Sequence, residues 1–327
     1  MGKPKTKRVL ITGITGFVGS HLADYILAEH PSTAIFGLKR WRSPKDNIRH
    51  LLDRVYFLDG DLRDLSSLIT VLSQVKPDVI FHLAAQSFVS TSYTAPADTA
   101  ETNVVGTINL LEAVRICKQN PVIHVCSSSE VYGQVGRKDV PIRESCPFRP
   151  VSPYAVSKVG EDMAAYMYFK AYGLKTVRSR MFTHSGPRRG EVFVDSFFAY
   201  QLAKIESGIQ DPVIRVGNLD SVRTFCDVRD TVRAYWLLVH RCPPGEVYNI
   251  GGSTTLTIRQ VLNMLLEMTT HQGQIKIKVD PALIRPADVT LQIPCTDKFK
   301  AVTGWKPEIP YRQTLEEMLE YWREAVR

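Results

Sequence analysis

Short apolar runs alternate with longer stretches in which apolar residues recur at helical spacing, the sequence form of a parallel α/β chain. Residues 9–12 are β-branched and leucine-rich, and the helix expected over 19–29 puts Leu22, Ile26 and Leu27 on one face before His30-Pro31 ends it. Residues 34–38 and 55–59 read as the next strands, and 60–64 as the opening of a helix with an acidic residue in its first turn, where the helix dipole favours it. The apolar run 78–85 reads as a strand ending in small residues, with His82 packed within it rather than catalytic. From Asn103 onward, Val104, Thr107, Ile108, Leu110, Leu111 and Val114 give a helix one apolar face. A strand over 122–125 follows, then a long helix from Pro153 to about Tyr172, rich in Ala, Met and Tyr around its whole circumference. Such a helix needs partners on more than one side, so a homodimer pairing these helices in a bundle is expected, with a tetramer as the alternative. Beyond Phe182 the order of elements changes: a turn at Ser185-Gly186-Pro187, a helix over 192–207, a returning strand over 247–251 and a final helix over 315–326.

The first strand runs into the most informative turn. Glycines recur at Gly13, Gly16 and Gly19, a GxxGxxG spacing between strand and helix. Gly13 permits a turn that a Cβ would obstruct, Gly16 lets backbone N–H groups approach a pyrophosphate, and Gly19 lets the helix lie close on the strand. Glycine-punctuated turns also join strands to helices in proteins that bind nothing, so spacing alone leaves both readings open. The end of the second strand bears on the choice of cofactor, because NAD-binding folds commonly place a carboxylate there for the ribose hydroxyls. Here Lys39, Arg40 and Arg42 stand instead; they suit a 2′-phosphate and point to NADP(H).

The 327 residues suffice for one large α/β unit or two domains sharing a long interface. No apolar run approaches the length of a membrane span, and no membrane partner is expected. The N-terminal MGKPKTKR is basic but leads directly into the first strand without a signal-peptide pattern. The net charge of +8 is dispersed and lacks the aromatic-interleaved basic run that single-stranded nucleic acid asks for. No nucleic-acid partner is expected, whereas a polyphosphate ligand fits the charge. Six cysteines form no C-x-x-C pair and no cluster with histidine, so no metal is expected and the thiols read as reduced, in a cytoplasmic protein.

The candidate chemistry lies at the end of the 122–125 strand, where Cys126-Ser127-Ser128-Ser129-Glu130-Val131-Tyr132-Gly133 follows directly; ligands of parallel sheets bind at that edge. Tyr154 and Lys158, four apart, project from one face of the next helix. A lysine near a tyrosine, together with an oxidised nicotinamide, favours phenolate and turns a weak phenol into a base, while a serine from 127–129 holds the substrate oxygen.

In this order (glycine turn, serine cluster, YxxxK) the chain resembles the extended short-chain dehydrogenase/reductase family over essentially its whole length. The resemblance rests on Gly13, Gly16 and Gly19, on His82-Leu83-Ala84-Ala85, and on Ser128, Tyr154 and Lys158. It implies an α/β fold: a Rossmann-type doubly wound parallel sheet with a smaller, discontinuous α/β substrate domain. Residues 1–181 and 219–253 would bind NADP, and residues 182–218 and 254–327 the nucleotide sugar. The cofactor would lie along Gly13, Gly16, Phe17, Val18, Gly19, Lys39, Arg40, Arg42, Asp61, Leu62, Leu83, Ala84, Ala85, Asn103, Tyr154 and Lys158, with Asp61 and Leu62 near the adenine.

Within the family the sequence is most similar to the branch of GDP-mannose 4,6-dehydratases and GDP-6-deoxy-4-keto-hexose reductases. Residues 84–93, 127–133 and 186–194 look like the dehydratases; 216–238 and 303–310 look closer to the reductases. The resemblance implies a lyase in which Tyr154 takes the C4 hydroxyl proton as hydride passes to NADP. Glu130 then removes the C5 proton, water leaves from C6 and the hydride returns there. A reductase consuming NADPH needs only the triad of Ser128, Tyr154 and Lys158. A 4-epimerase would leave Glu130 without a role, and a non-catalytic dinucleotide-binding regulator would leave the triad without one. The substrate, probed by Ser87, Ser129, Thr183, Arg188, Arg189, Arg223, Arg285 and Asp288, is expected to be a GDP-linked sugar. Two residues depart from the dehydratase pattern: Ser128 replaces a threonine, and Thr183-His184 replaces Asn-His, removing an amide donor and acceptor.

Overall fold

The computed structural model describes residues 7–327; the first six residues of the basic N-terminus, read above as lacking a leader, lie outside the described residues. In chain order the strands are β1 (Arg8–Thr12), β2 (Ala34–Lys39), β3 (Tyr56–Asp59), β4 (Val79–His82), β5 (Val122–Ser128), β6 (Lys175–Met181), β7 (His184–Ser185), β8 (Val213–Val216), β9 (Val222–Asp227), β10 (Val247–Ile250), β11 (Thr254–Thr257), β12 (Lys276–Val279) and β13 (Leu291–Gln292). The helices are α1 (Phe17–Glu29), α2 (Leu65–Val75), α3 (Val89–Thr94), α4 (Pro96–Ala100), α5 (Gly106–Ile116), α6 (Pro153–Tyr172), α7 (Val194–Glu206), α8 (Val228–Arg241), α9 (Ile258–Glu267), α10 (Asp297–Thr303) and α11 (Tyr311–Ala325).

Seven parallel strands make the large sheet, in the order β10-β6-β5-β4-β1-β2-β3. The chain starts in the middle, builds outward through β2 and β3, then returns to β4 and builds the other way, which is the doubly wound Rossmann arrangement expected from the sequence. Alternate residues of each strand serve opposite faces. Val9 and Ile11 join Phe81 beneath α1 and α8, packed with Leu22, Ile26, Val232 and Trp236. Leu10, Ile80 and Ile123 point the other way, into α2, α5 and α6, packed with Leu72, Leu111 and Ala165. Both faces are covered, which is why these strands read as continuous apolar runs rather than alternating ones.

β5 runs past the expected end to Ser128, and α11 begins at Tyr311 rather than Leu315. Three further boundaries differ from the sequence reading for a visible reason. Residues 60–64 form a turn, and α2 begins at Leu65, because the Asp64 carboxylate caps the helix by accepting from Ser66 N. The strand expected over 78–85 ends at His82, since Leu83 N and Ala84 N leave the sheet to donate to Thr12 Oγ1, 3.1 Å each. Asn103 does not begin a helix; it lies in a π-helical turn, Glu101–Val105, within a helical run already under way from Pro96.

After β6 the chain leaves the large sheet. β9 pairs antiparallel with β11 and parallel with β13 and β7, while β8 pairs with β12. A separate core of Phe198, Leu202, Phe225, Leu262, Leu315 and Met318 joins these strands to α7, α9 and α11. Between them, α8 and β10 return to the large sheet.

α6 carries Tyr154 and Lys158, and its start is fixed by chemistry: Ser152 Oγ accepts from Ala155 N at 3.1 Å, and Pro153 sits at the first helical position. Ser152→Ala should cost about 1 kcal/mol of stability, read as a lower urea midpoint with unchanged m-value. One face of α6 packs onto the sheet, and Val156, Met163, Tyr166 and Met167 remain exposed on the other. Among the described residues, no helix is long and apolar enough to cross a membrane.

Candidate active site

Strand order reverses between β1 and β4, and a cleft of about 580 Å³ opens at the carboxyl ends of the strands there. Gly13, Gly16, Phe17, Val18 and Gly19 form one wall. Gly13 has φ +73°, and a Cβ on it would lie 2.7 Å from Ala84 N; a Cβ on Gly19 would lie 2.3 Å from the Gly13 carbonyl oxygen. A side chain at either place collides with backbone, so the turn requires these two glycines. α1 starts with Gly16 as its cap and no side-chain cap, so its first-turn N–H groups stand on the cleft wall, an anion site by geometry and dipole.

Leu83, Ala84, Ala85, Asp61, Leu62, Lys39 and Arg40 line the same cleft. Lys39 is ion-paired with Asp59, and Arg42 lies over the Trp41 ring at 4.5 Å, off the wall. Among the described residues, Arg40 has no acidic partner and is the basic group of that trio left to meet a ligand. Arg63, not foreseen, also stands on the wall, tied to Asp98 at 3.2 Å.

Asn103 does not line the cleft. Its amide donates to Gln86 O and Ser157 Oγ, and its oxygen accepts from Gln86 N. It belongs to a buried chain of hydrogen bonds whose directions can be assigned. Thr12 Oγ1 accepts from Leu83 N and Ala84 N, so its own proton goes to His82 Nδ1, 2.9 Å away. His82 Nε2–H then donates to Thr107 Oγ1, which donates to Asn103 O. Beyond Asn103, Ser157 Oγ donates to Tyr154 O. The chain joins the glycine turn to the helix that carries Tyr154, and His82 is a packed neutral imidazole within it.

A second cavity, of about 480 Å³, lies beside the cleft. Ser87, Ser128, Tyr154 and Arg189 belong to the walls of both. Lys158 faces the first; Ser129, Glu130, Thr183, Arg223, Arg285 and Asp288 face the second. The candidate triad therefore stands where a ligand in one cavity meets a ligand in the other. Arg188 does not join them. Its guanidinium turns away to Asp24 at 2.6 Å and His21 at 2.7 Å, on the α1 side, whereas Arg189 stays on the walls of both cavities, with its Nε 3.3 Å from the buried Asp195 carboxylate.

Burial pushes the Tyr154 phenol up to about 12, against the opposing pull of the Lys158 ammonium and the Ser128 hydroxyl. Without a further positive charge Tyr154 is a neutral phenol. Burial also works against the Lys158 ammonium, but the Glu161 carboxylate 2.9 Å away, with Tyr154 and Cys126, outweighs it and holds the lysine charged well above its ordinary range. Lys158 Nζ also donates to Cys126 O at 2.9 Å. Glu130 is approached by Gln292 Nε2 at 3.4 Å, and Gln292 accepts from Ser129 Oγ at 2.9 Å. Asp288 accepts from Asn218 Nδ2 and Ser221 Oγ and lies 3.7 Å from Arg223.

Glu161, Gln292, Arg63 and Gln86 were not anticipated. Glu161 was legible, three residues beyond Lys158 on the same helix; Gln292 was not, since it arrives on a two-residue strand 162 positions from Glu130.

The family model for GDP-mannose 4,6 dehydratase matches residues 10–318. The chain is 34% identical to the GDP-mannose 4,6-dehydratase of Yersinia enterocolitica, over 96% of this chain and 93% of that one. It is 32% identical to the GDP-6-deoxy-D-mannose reductase of Pseudomonas aeruginosa, over 98% of this chain and 99% of that one. Among solved structures, RMD from Pseudomonas aeruginosa complexed with NADPH superposes with a TM-score of 0.85 at 31% identity, covering 98% of this chain and 100% of that one.

Proposed function

This chain belongs to the GDP-mannose 4,6-dehydratase family, and we propose that it converts GDP-mannose to GDP-4-keto-6-deoxymannose with NADP(H) regenerated in each turnover. The observation that carries the choice of dehydration is Glu130, a carboxylate on the wall of the second cavity beside Ser128 and Tyr154. Dehydration needs a second proton-transfer group next to the triad, and reduction does not.

The first cleft fits a dinucleotide: two glycines whose backbone contacts leave no room for a side chain, and uncapped N–H groups at the start of α1. Arg40 favours the 2′-phosphorylated form, and the similar RMD structure holds NADPH. When bound, the nicotinamide accepts hydride from C4 and later returns it to C6. Lys158 faces this cleft and is fixed in place by Cys126 O and Glu161. In the second cavity Arg189, Arg223 and Arg285 meet the diphosphate, and Asp288 orients Arg223. Ser128 holds the C4 oxygen, Tyr154 takes its proton, and Glu130 removes the proton from C5; of the two protons so held, one leaves with the C6 hydroxyl as water and the other returns to C5. Gln292 keeps the Glu130 carboxylate turned into the cavity.

We read residues 7–181 with 228–250 as the core of the cofactor-binding part and the second sheet with α7, α9 and α11 as the nucleotide-sugar part; the expected bounds shift because β9 pairs with β11 and β13, and because Phe299 and Trp305 pack against the large sheet. The exposed Val156, Met163, Tyr166 and Met167 of α6 suit the face of a homodimer, and the expected setting is cytoplasmic.

Incubation with GDP-mannose and a trace of NADP tests the assignment. Loss of one water from the sugar nucleotide with no net change in the cofactor is expected. In Glu130→Gln, water loss should slow by about 10²- to 10⁴-fold while C4 oxidation persists, seen as accumulating reduced cofactor absorbance. The relative named as a reductase supports a second reading: GDP-mannose untouched, and NADPH consumed one-for-one with the 4-keto-6-deoxy sugar.

A further inference from the structure

Glu161 touches neither cavity, yet it is buried beside the residue that most controls Tyr154. Only 1% of it is exposed; Oε2 accepts from Lys158 Nζ at 2.9 Å, and Oε1 is buried with no hydrogen-bond partner among the described residues. A buried carboxylate satisfied through one oxygen is a poor device for stability. Its neighbours define what it does. On α6 itself it has Tyr154, Lys158 and Asp162, and β5 brings Cys126; His82 and His124 act on Lys158, Tyr235 on Cys126, and Arg178 and Arg180 on Asp162. Both arginines are held by Asp162 at 2.8 Å. His82 and His124 are buried neutral imidazoles. Lys158 is thus the cation left for Glu161, and Glu161 is the anion that offsets Lys158 beside Tyr154.

We propose that Glu161 is a positioning residue that anchors Lys158 Nζ and neutralises its charge, so that Tyr154 keeps its proton until a ligand brings further positive charge to the cleft. The inference rests on Tyr154 as the proton acceptor of the proposed reaction, but its test does not require turnover. Burial pushes Glu161 up to about 7 against the pull of the Lys158 ammonium, so it is ionised throughout the alkaline range in which Tyr154 titrates. There the phenol experiences a nearly neutral pair; with a neutral amide in place of Glu161 it experiences an uncompensated ammonium.

Tyrosinate absorbance is titrated in the ligand-free protein, and Tyr154 is isolated by subtracting the matching Tyr154→Phe protein from each background: wild type, Glu161→Gln and Glu161→Asp. The Tyr154 midpoint should fall by about one to two pH units in Glu161→Gln, and by less in Glu161→Asp, whose carboxylate is drawn back by one methylene. A midpoint that is unmoved or raised in Glu161→Gln overturns the proposal. Should Glu161→Gln not fold, Glu161→Asp decides alone: a lowered midpoint supports the proposal, and an unmoved or raised one overturns it. A purely structural role would lower the melting temperature and leave the midpoint in place. Turnover of GDP-mannose by the wild type is scored separately, so failure of the dehydratase assignment remains distinct from failure of this one.

Discussion

Tyr154→Phe should lower kcat by about 10²- to 10⁴-fold, or about 3–5 kcal/mol of barrier, with the apparent KM for the sugar nucleotide nearly unchanged. Only the hydroxyl is lost. The ring remains buried on α6, close to Lys158, whose Nζ lies 5.9 Å from the ring centre, so neither cavity changes shape. What disappears is the group proposed to accept the C4 proton as that carbon is oxidised. Ser128 can still hold the oxygen, but a serine hydroxyl is a far weaker proton acceptor than a phenolate. The check is steady-state kinetics combined with equilibrium binding of NADP: a variant that binds cofactor normally and keeps a kcat within about threefold of wild type would remove Tyr154 from the chemistry.

Acidification should be nearly as damaging, and for a reason spread through the core. Burial holds His21 at about 4, and His82 and His124 at about 3, with the neighbouring Arg188 adding to the effect on His21 and Lys158 to that on His82 and His124. Each is held in its neutral form, His82 and His21 by burial and the bonds they make, and His124 by burial of a ring nitrogen that has no acceptor for a second proton among the described residues. His82 receives the Thr12 proton on Nδ1; His124 has a buried Nδ1 with no partner; His21 donates through Nε2 to Pro187 O and accepts from Arg188 on Nδ1. The unfolded chain takes up these protons near pH 6.5, whereas the folded chain refuses them until far lower pH. Stability is therefore complete above pH 6.5 and declines as pH falls toward the folded values. At pH 5.5 each imidazole costs about 1.4 kcal/mol, about 4 kcal/mol for these three. His184, also held at about 4, adds in the same sense, and Glu161, pushed up to about 7 by burial, offsets part of it. Urea unfolding at pH 7.5 and 5.5 measures it; equal midpoints would mean that these histidines are protonated in the native state.

The sequence displayed the parts of the molecule governed by short-range rules. Most of the seven-stranded sheet was visible because its central strands are buried on both faces, whereas β6, which carries Arg178 and Arg180 paired with Asp162, was not read as a strand. The glycine turn was visible because only glycine tolerates the backbone contacts of Gly13 and Gly19. Tyr154 and Lys158 were visible through helical spacing. Boundaries were lost where a side chain outcompeted the ladder: Asp64 delayed α2, and Thr12 drew Leu83 and Ala84 out of the strand. Roles were lost where distant segments meet. Lys39 read as a phosphate ligand until Asp59 of the adjacent strand proved to hold it, and Arg188 until Asp24 and His21 did. Asn103, expected on the cofactor, braces the loop after β4 against α6. Nothing within a few residues of any of these announces its partner.

The buried run from Thr12 through His82, Thr107 and Asn103 to Ser157 has a mechanical meaning beyond its hydrogen bonds. One end sits on the turn that seats a dinucleotide and the other beneath the tyrosine that works on the sugar, so the run acts as a gauge block between the two. Because every link is buried and its donor direction assignable, a change in the distance from turn to tyrosine would break at least one of these bonds with no water to replace it. Substitutions at its two ends should consequently fail to add, each already forfeiting the alignment that the other disturbs.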